Sequence, residues 1–446
     1  MDFVKYANDN KNKFLEDLKE LLKIDTVLIE QPEVKEAPFG YNLVKALDYM
    51  LELGKREGFI TKNIENVAGH IEYGEGEEVI GVLCHLDVVP TGDGWTYPPF
   101  EPTIVGDRIY ARGSMDDKGA CISSLYALKA LKESGVKLNK KIRLIFGTDE
   151  ETGSRGIKRY LELEQMPDLG FSPDADYPLI YGEKGILSFD LLGEVNEEII
   201  EFTAGDRYNV VPEVASVELK NDYKDKYLEF LKQNNYNGEI KDSKYIMYGK
   251  RAHAMEPRNG INAIMRLVEF LNTIIDDKYL KFIENNFKCS RLNTMNENFT
   301  DPEMGDLTSN LALLNIKNKQ AKCGINFRYP INWKKEEFFN NLNTLAKEDN
   351  VTVNLLNDST PHYVSKEDDL VKTLHKSYIK YTGDDKTPLM TIGGGTYARS
   401  LKCAVAFGPM MPGREDVVHQ VDEYAYIDDL LISVAIFADA LKELGK

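Results

Sequence analysis

From residue 14 to about 187, apolar residues at helical spacing alternate with short unbroken apolar runs. Phe14, Leu18, Leu21 and Leu22 recur every three or four positions among charges and predict a first helix. "VIGVLC" (79–84) and "KIRLIFGTD" (141–149) read as buried strands, with "CISSLYALKALKESG" (121–135) as a helix between them. Such alternation predicts an α/β domain with a largely buried sheet.

The texture changes at about 188. "SFDLLGEV" and "ASVELKND" alternate like half-exposed strands, and "LALLNIKNKQAKCGINFRYP" reads as a hairpin. "INAIMRLVEFLNTII" places Ile261, Ile264, Leu267, Leu271 and Ile274 on one helical stripe. The Asn-rich "ENNFKCSRLNTMNENF" reads as a surface excursion. After about 363, "DDLVKTLHKSYIKYTG" and a closing helix restore the first texture. We therefore expect one α/β domain, residues 1–187 and 363–446, interrupted by an inserted α+β domain, residues 188–362.

With 446 residues the chain has ample material for two cores. Lys plus Arg number 55 against 73 Asp plus Glu, a net charge of −18, which argues against nucleic acid and anionic membrane as partners. The N-terminus lacks a signal-peptide apolar block, and "LLISVAIFADAL" is too short to span a bilayer, so a cytoplasmic protein is expected. Five scattered cysteines form no C-x-x-C pair, so they read as core residues rather than a disulfide framework or a thiolate zinc site.

Acids and histidines gather where these apolar runs end. In "CHLDVVP", His85 and Asp87 stand two apart and can share one strand face, as a structural pair or as a metal ligand with its support. "ARGSMDDKGA" holds Asp116 and Asp117 in a glycine-punctuated turn, where a carboxylate can bridge two cations or cap the next helix. "IFGTDEETGSRG" ends in Asp149, Glu150 and Glu151, three acids that repel unless cations or hydrogen bonds compensate them. Asp174 lies between prolines in "FSPDADYP", and His419 lies far downstream in "PGREDVVHQVDEY".

In this order, the five motifs resemble the co-catalytic zinc metallopeptidases that include aminoacylases, succinyl-diaminopimelate desuccinylases and glutamate carboxypeptidases. "FSPDADYP", "GGGTYAR" and "FGPMMPGREDVVHQVDEY", with the enlarged insert, are most similar to the PepV-type bacterial dipeptidases. The resemblance implies a zinc-aminopeptidase-like catalytic domain, its mixed sheet flanked by helices, interrupted by an inserted α+β lid of two fused lid-like halves, and a monomer. It implies two divalent metal ions, Zn²⁺ by preference with Mn²⁺ or Co²⁺ acceptable. His85 and Asp174 would hold one, Glu151 and His419 the other, and Asp116 would bridge them.

The resemblance further implies that Asp87 orients His85, that the Asp116–Asp117 peptide is cis, and that Glu150 is the general base. It makes His253 an oxyanion donor and sets Asn209 and Arg328 toward a substrate carboxylate. Gly393, Gly394 and Gly395 would offer backbone N–H groups to the same carboxylate or form only a structural turn. The expected activity is hydrolysis of dipeptides with a free N-terminus. The alternative is an N-acyl amino acid amidohydrolase of the desuccinylase or aminoacylase type. Asp93 and Trp95, in "TGDGW", receive only a loop-shaping role near the cleft.

Overall fold

The computed structural model describes residues 1–446. By its internal contacts the chain divides into two compact units: Met1–Tyr181 with Tyr363–Met390 and Gly395–Lys446, and Gly182–His362 with Thr391–Gly394.

The first unit is built on a mixed sheet. Strand Val79–His85 lies between Lys141–Gly147 and Leu169–Ser172, parallel to both, and Ala404–Ala406 runs parallel to Leu169–Ser172 on its other side. Ala68–Tyr73 pairs antiparallel with Lys141–Gly147, and Ile60–Ile64 pairs antiparallel with Ala68–Tyr73. Every residue of "VIGVLCH" is buried, as expected of a parallel strand covered on both faces. The helix Lys118–Ser134 has an unbroken buried stretch from Lys118 to Leu131, so the "CISSLYALKALKESG" pattern has no wet side until its last turn. Phe14, Leu18, Leu21 and Leu22 of helix Lys11–Leu22 are fully buried, each contributing roughly 1.5–3 kcal/mol of apolar burial.

One glycine shapes the turn that carries Asp116. Lys118 donates its backbone N–H to Gly113 O (3.0 Å), folding the turn "GSMDDK" onto the helix start. A Cβ on Gly119 would lie 2.1 Å from Ser114 O, so this fold-back tolerates only glycine there.

The second unit carries an eight-stranded antiparallel sheet in the order Gly238–Lys241, Lys244–Tyr248, Val214–Leu219, Ile199–Ala204, Thr308–Lys317, Gln320–Tyr329, Gly185–Glu194, Thr352–Ser359. The expected hairpin is present: Thr308–Lys317 and Gln320–Tyr329 pair across Asn318 and Lys319, both in left-handed conformation (φ 52° and 64°). In helix Ala263–Ile274, Ile264, Leu267 and Leu271 are fully buried, whereas Ile261 precedes the helix and pairs with Lys250. The Asn-rich stretch lies at the surface as expected, with helix Lys278–Phe287 entering it and two apolar residues, Phe287 and Leu292, anchoring it in the core.

All five cysteines are free, with Cys84, Cys121 and Cys323 buried. No helix is long and apolar enough to cross a membrane.

Candidate metal centre

The parallel strands end together, and the chemistry follows their C-terminal ends, where open α/β sheets place ligands. His85 is the last residue of Val79–His85, Glu150 and Glu151 follow Lys141–Gly147, and Asp174 follows Leu169–Ser172. Asp116 comes from the turn before helix Lys118–Ser134, and His419 from the loop after strand Pro409–Met410, in left-handed conformation (φ 64°).

These residues converge. His85 Nε2 lies 2.9 Å from Asp116 Oδ1 and 3.6 Å from Asp174 Oδ2. His419 Nε2 lies 3.0 Å from Asp116 Oδ2 and 3.1 Å from Glu151 Oε1. The donor atoms of His85, Asp116 and Asp174, and those of Asp116, Glu151 and His419, fall within 4.8 Å of one another in each group. Asp116 belongs to both groups, one oxygen turned to each histidine. Its peptide bond to Asp117 is cis.

The fit to a cation follows from proton placement. His85 Nδ1 lies 3.0 Å from Asp87 O, and a carbonyl only accepts, so Nδ1 carries the proton. In the neutral ring, Nε2 then presents a lone pair to a carboxylate oxygen 2.9 Å away, a repulsive contact unless a proton or a metal ion lies between them. Nitrogen and carboxylate oxygen donors suit Zn²⁺ and also Mn²⁺ or Co²⁺.

Electrostatics point the same way. Burial acts to lower the pKa of both histidines, yet hydrogen bonds to Asp116 and Asp174 hold His85 well above its ordinary value. Those to Asp116 and Glu151 raise His419 to about 11. Burial raises Asp174 to about 7, with the Asp116 charge adding to it. Burial also lifts Glu150 well above the usual carboxylate range, reinforced by the charges of Asp174, Glu151 and Asp87 and opposed by His85.

Asp87 supports the centre in two ways. Its carbonyl orients His85, while its carboxylate lies farther from the ring, with Oδ1 at 3.6 Å. The two carboxylate oxygens instead accept the backbone N–H groups of Glu150 (2.9 Å) and Glu151 (3.0 Å), tying the two acid-bearing strand ends together. The third acid of that run, Asp149, is fully buried and neutralised by Arg155, with Nε at 2.6 Å.

Three residues that hold His85 were not read as its supports in the sequence. Asp117 sits at the N-cap position but caps nothing with its side chain; its Oδ2 accepts the His85 N–H at 3.0 Å. Cys121 Sγ donates to His85 O at 3.2 Å, so both polar backbone atoms of this residue are held. The Tyr397 ring packs edge-on to the His85 imidazole, with centroids 6.1 Å apart. The Asp–Asp pair was visible in the sequence, but no spacing rule ties residues 117, 121 or 397 to position 85.

The expected substrate residues lie in varied settings. His253 is exposed and ends a two-residue strand paired with Val210–Val211, and Asn209 O accepts the Ala254 N–H at 2.8 Å. Arg328 is buried, donating from Nε to Asn326 Oδ1 (3.0 Å) and from Nη1 to Gly393 O (2.7 Å). Gly393, Gly394 and Gly395 are half-buried.

Comparison with known proteins gives a consistent set of matches. The family model described as "Peptidase family M20/M25/M40" matches residues 81–443. A Bacillus subtilis (strain 168) protein named "Putative dipeptidase YtjP" is 42% identical, over 98% of this chain and 98% of its own. A Staphylococcus epidermidis protein named "Putative dipeptidase" is 41% identical, over 97% of each. Among solved structures, human carnosine dipeptidase 1 aligns with a TM-score of 0.61 at 14% identity, covering 99% of this chain and 98% of that one. The Saccharomyces cerevisiae dipeptidase Dug1p gives a TM-score of 0.61 at 14% identity, over 99% and 97%.

Proposed function

The chain belongs to peptidase family M20/M25/M40, and on that basis we propose that it is a metal-dependent dipeptidase with Glu150 as general base. Its substrates would be dipeptides with a free N-terminus, split into two amino acids. The observation that carries this reading is the Asp116 carboxylate, whose two oxygens face His85 at 2.9 Å and His419 at 3.0 Å.

In the proposal, His85 and Asp174 hold one divalent ion, Glu151 and His419 the other, and Asp116 is shared, with Zn²⁺ the preferred ion. When bound, the ions supply Lewis acidity that polarises the peptide carbonyl and makes water acidic enough to yield a nucleophile. Glu150 stands beside a ligand without being one. Its carboxylate takes a proton from the attacking water and gives it to the leaving amine nitrogen. Asp87 keeps this base in place by accepting the Glu150 and Glu151 N–H groups.

His253 as an oxyanion donor, and Asn209, Arg328 and Gly393–Gly395 as groups for the substrate carboxylate, complete the proposal. A cytoplasmic location and a monomeric state belong to it too, and light scattering on the purified chain tests the latter.

The test is a substrate panel with Glu150→Gln beside the wild type. Ala-Ala and β-Ala-His should be cleaved in preference to N-acetyl and N-succinyl amino acids. Glu150→Gln should lose about 10²–10⁴-fold in kcat while keeping its metal content. Preference for N-acyl substrates would instead identify an amidohydrolase, and full activity in Glu150→Gln would remove it from the base role.

A further inference from the structure

We propose that Glu423, held by Arg112, is a positioning residue for the shared carboxylate of Asp116. It rests on the reading of Asp116 as the bridge. Both residues sit inside motifs whose chemistry leaves them unassigned, "ARGSMDDKGA" and "HQVDEY".

Glu423 follows His419 by four residues and immediately precedes strand Tyr424–Tyr426. That strand pairs antiparallel with Arg108–Tyr110, Tyr424 opposite Tyr110, and Glu423 O continues the ladder by accepting the Ala111 N–H at 3.1 Å. The Glu423 side chain thus reaches the turn that carries Asp116. Its Oε1 accepts the backbone N–H groups of Met115 (3.0 Å) and of Asp116 itself (3.3 Å), while Oε2 accepts Arg112 Nη1 at 2.7 Å. Both side chains of this ion pair are only 1% exposed.

Arg112 is fixed in turn. Its Nη2 donates to Pro90 O at 3.3 Å and its guanidinium lies 5.2 Å from the Trp95 ring centroid, giving that tryptophan a place in the scheme. Next to Glu423, Asp422 Oδ1 accepts the N–H groups of Thr96 (2.7 Å) and Tyr97 (3.3 Å).

A buried ion pair adds little net stability, because desolvation offsets most of its attraction. What this pair does add is direction. One carboxylate grips the backbone of Asp116, from which the two oxygens diverge, and the segment providing that grip also carries His419. Glu423 therefore sets the spacing between the shared ligand and one terminal ligand. Contacts one step removed from a metal commonly tune its affinity about 10–100-fold.

Mn²⁺ binding to the full chain tests this without reference to hydrolysis, by calorimetric titration together with EPR, in which two bridged Mn²⁺ ions give an exchange-coupled signal. In Glu423→Ala the second ion should bind at least about tenfold more weakly, the coupled signal giving way to that of isolated ions, with the first ion changed less than about threefold. Glu423→Gln keeps an oxygen for the two N–H groups but loses the charge facing Arg112; the second ion should weaken by about threefold. If Glu423→Ala fails to fold, Glu423→Gln decides. Wild-type ion affinities and a wild-type coupled signal in a folded variant, even one with a lowered Tm, overturn the proposal. A wild-type chain that binds two coupled ions yet cleaves no dipeptide leaves it standing while refuting the dipeptidase reading.

Discussion

The two halves of the candidate metal centre share Asp116 but are made differently. The His85 imidazole is 1% exposed and ends a buried parallel strand, with its N–H, its carbonyl and its ring Nδ1 all engaged. The His419 side chain is 51% exposed and sits on a loop. One half is a part of the core that also binds; the other is a binding group attached to the core. The same ligand chemistry should therefore have unequal consequences for folding.

The largest expected difference is between His85→Ala and His419→Ala. Each should lose one of the two ions, measured by elemental analysis. In chelator, however, His85→Ala should be destabilised by about 3–5 kcal/mol, because it leaves buried carboxylates unpaired. His419→Ala should be destabilised less, because half of its side chain stays in solvent, which screens its pairs with Asp116 and Glu151. Urea unfolding of the two variants decides, and equal destabilisation would end the distinction.

Next comes Asp87→Asn, which leaves one oxygen where two N–H groups are accepted. It should lower kcat/KM by roughly 10–100-fold with both ions retained. Cys121→Ala removes the thiol contacts to His85 O (3.2 Å) and Asp117 Oδ2 (3.9 Å) and should cost about 1–3 kcal/mol in unfolding experiments, leaving both ions in place.

For pH dependence only the sign is predicted. Burial disfavours a charged His419, yet Asp116 and Glu151 raise its pKa from 6.5 to about 11. A raised folded pKa stabilises fully below the unfolded value and loses that contribution as pH climbs through the folded one. In chelator, stability should therefore fall between pH 6.5 and about 11, and this slope should shrink in His419→Ala. An unchanged slope would assign it to other groups.

The sequence carried the parts of this centre that repeat as local patterns. A strand followed by H-x-D, a turn with two aspartates and a run of three acids each announce themselves over a few residues. Hydrophobic period marked the longer strands and helices, but Ala404–Ala406, three residues long, leaves no periodic trace although it lies in the sheet beside Leu169–Ser172. Atom-level assignments were also out of reach. Strand alternation put Asp87 beside His85, but whether its carbonyl or its carboxylate meets the ring depends on where Glu150 and Glu151 arrive, and that is set by sheet order. The roles of Asp117, Cys121 and Tyr397 likewise arise from contacts between distant segments.

The Asp116 carboxylate joins residues that are synthesised at different times. His85 leaves the ribosome more than three hundred residues before His419. At about 5–20 residues per second, that interval is roughly 20–70 s. A growing chain holds the buried half of the candidate centre early, but until His419 is made the proposed pair of ion sites lacks a ligand. With the proposed ligand set, hydrolytic capacity would arrive late in synthesis, and the nascent chain would not act on peptides while it is still being made.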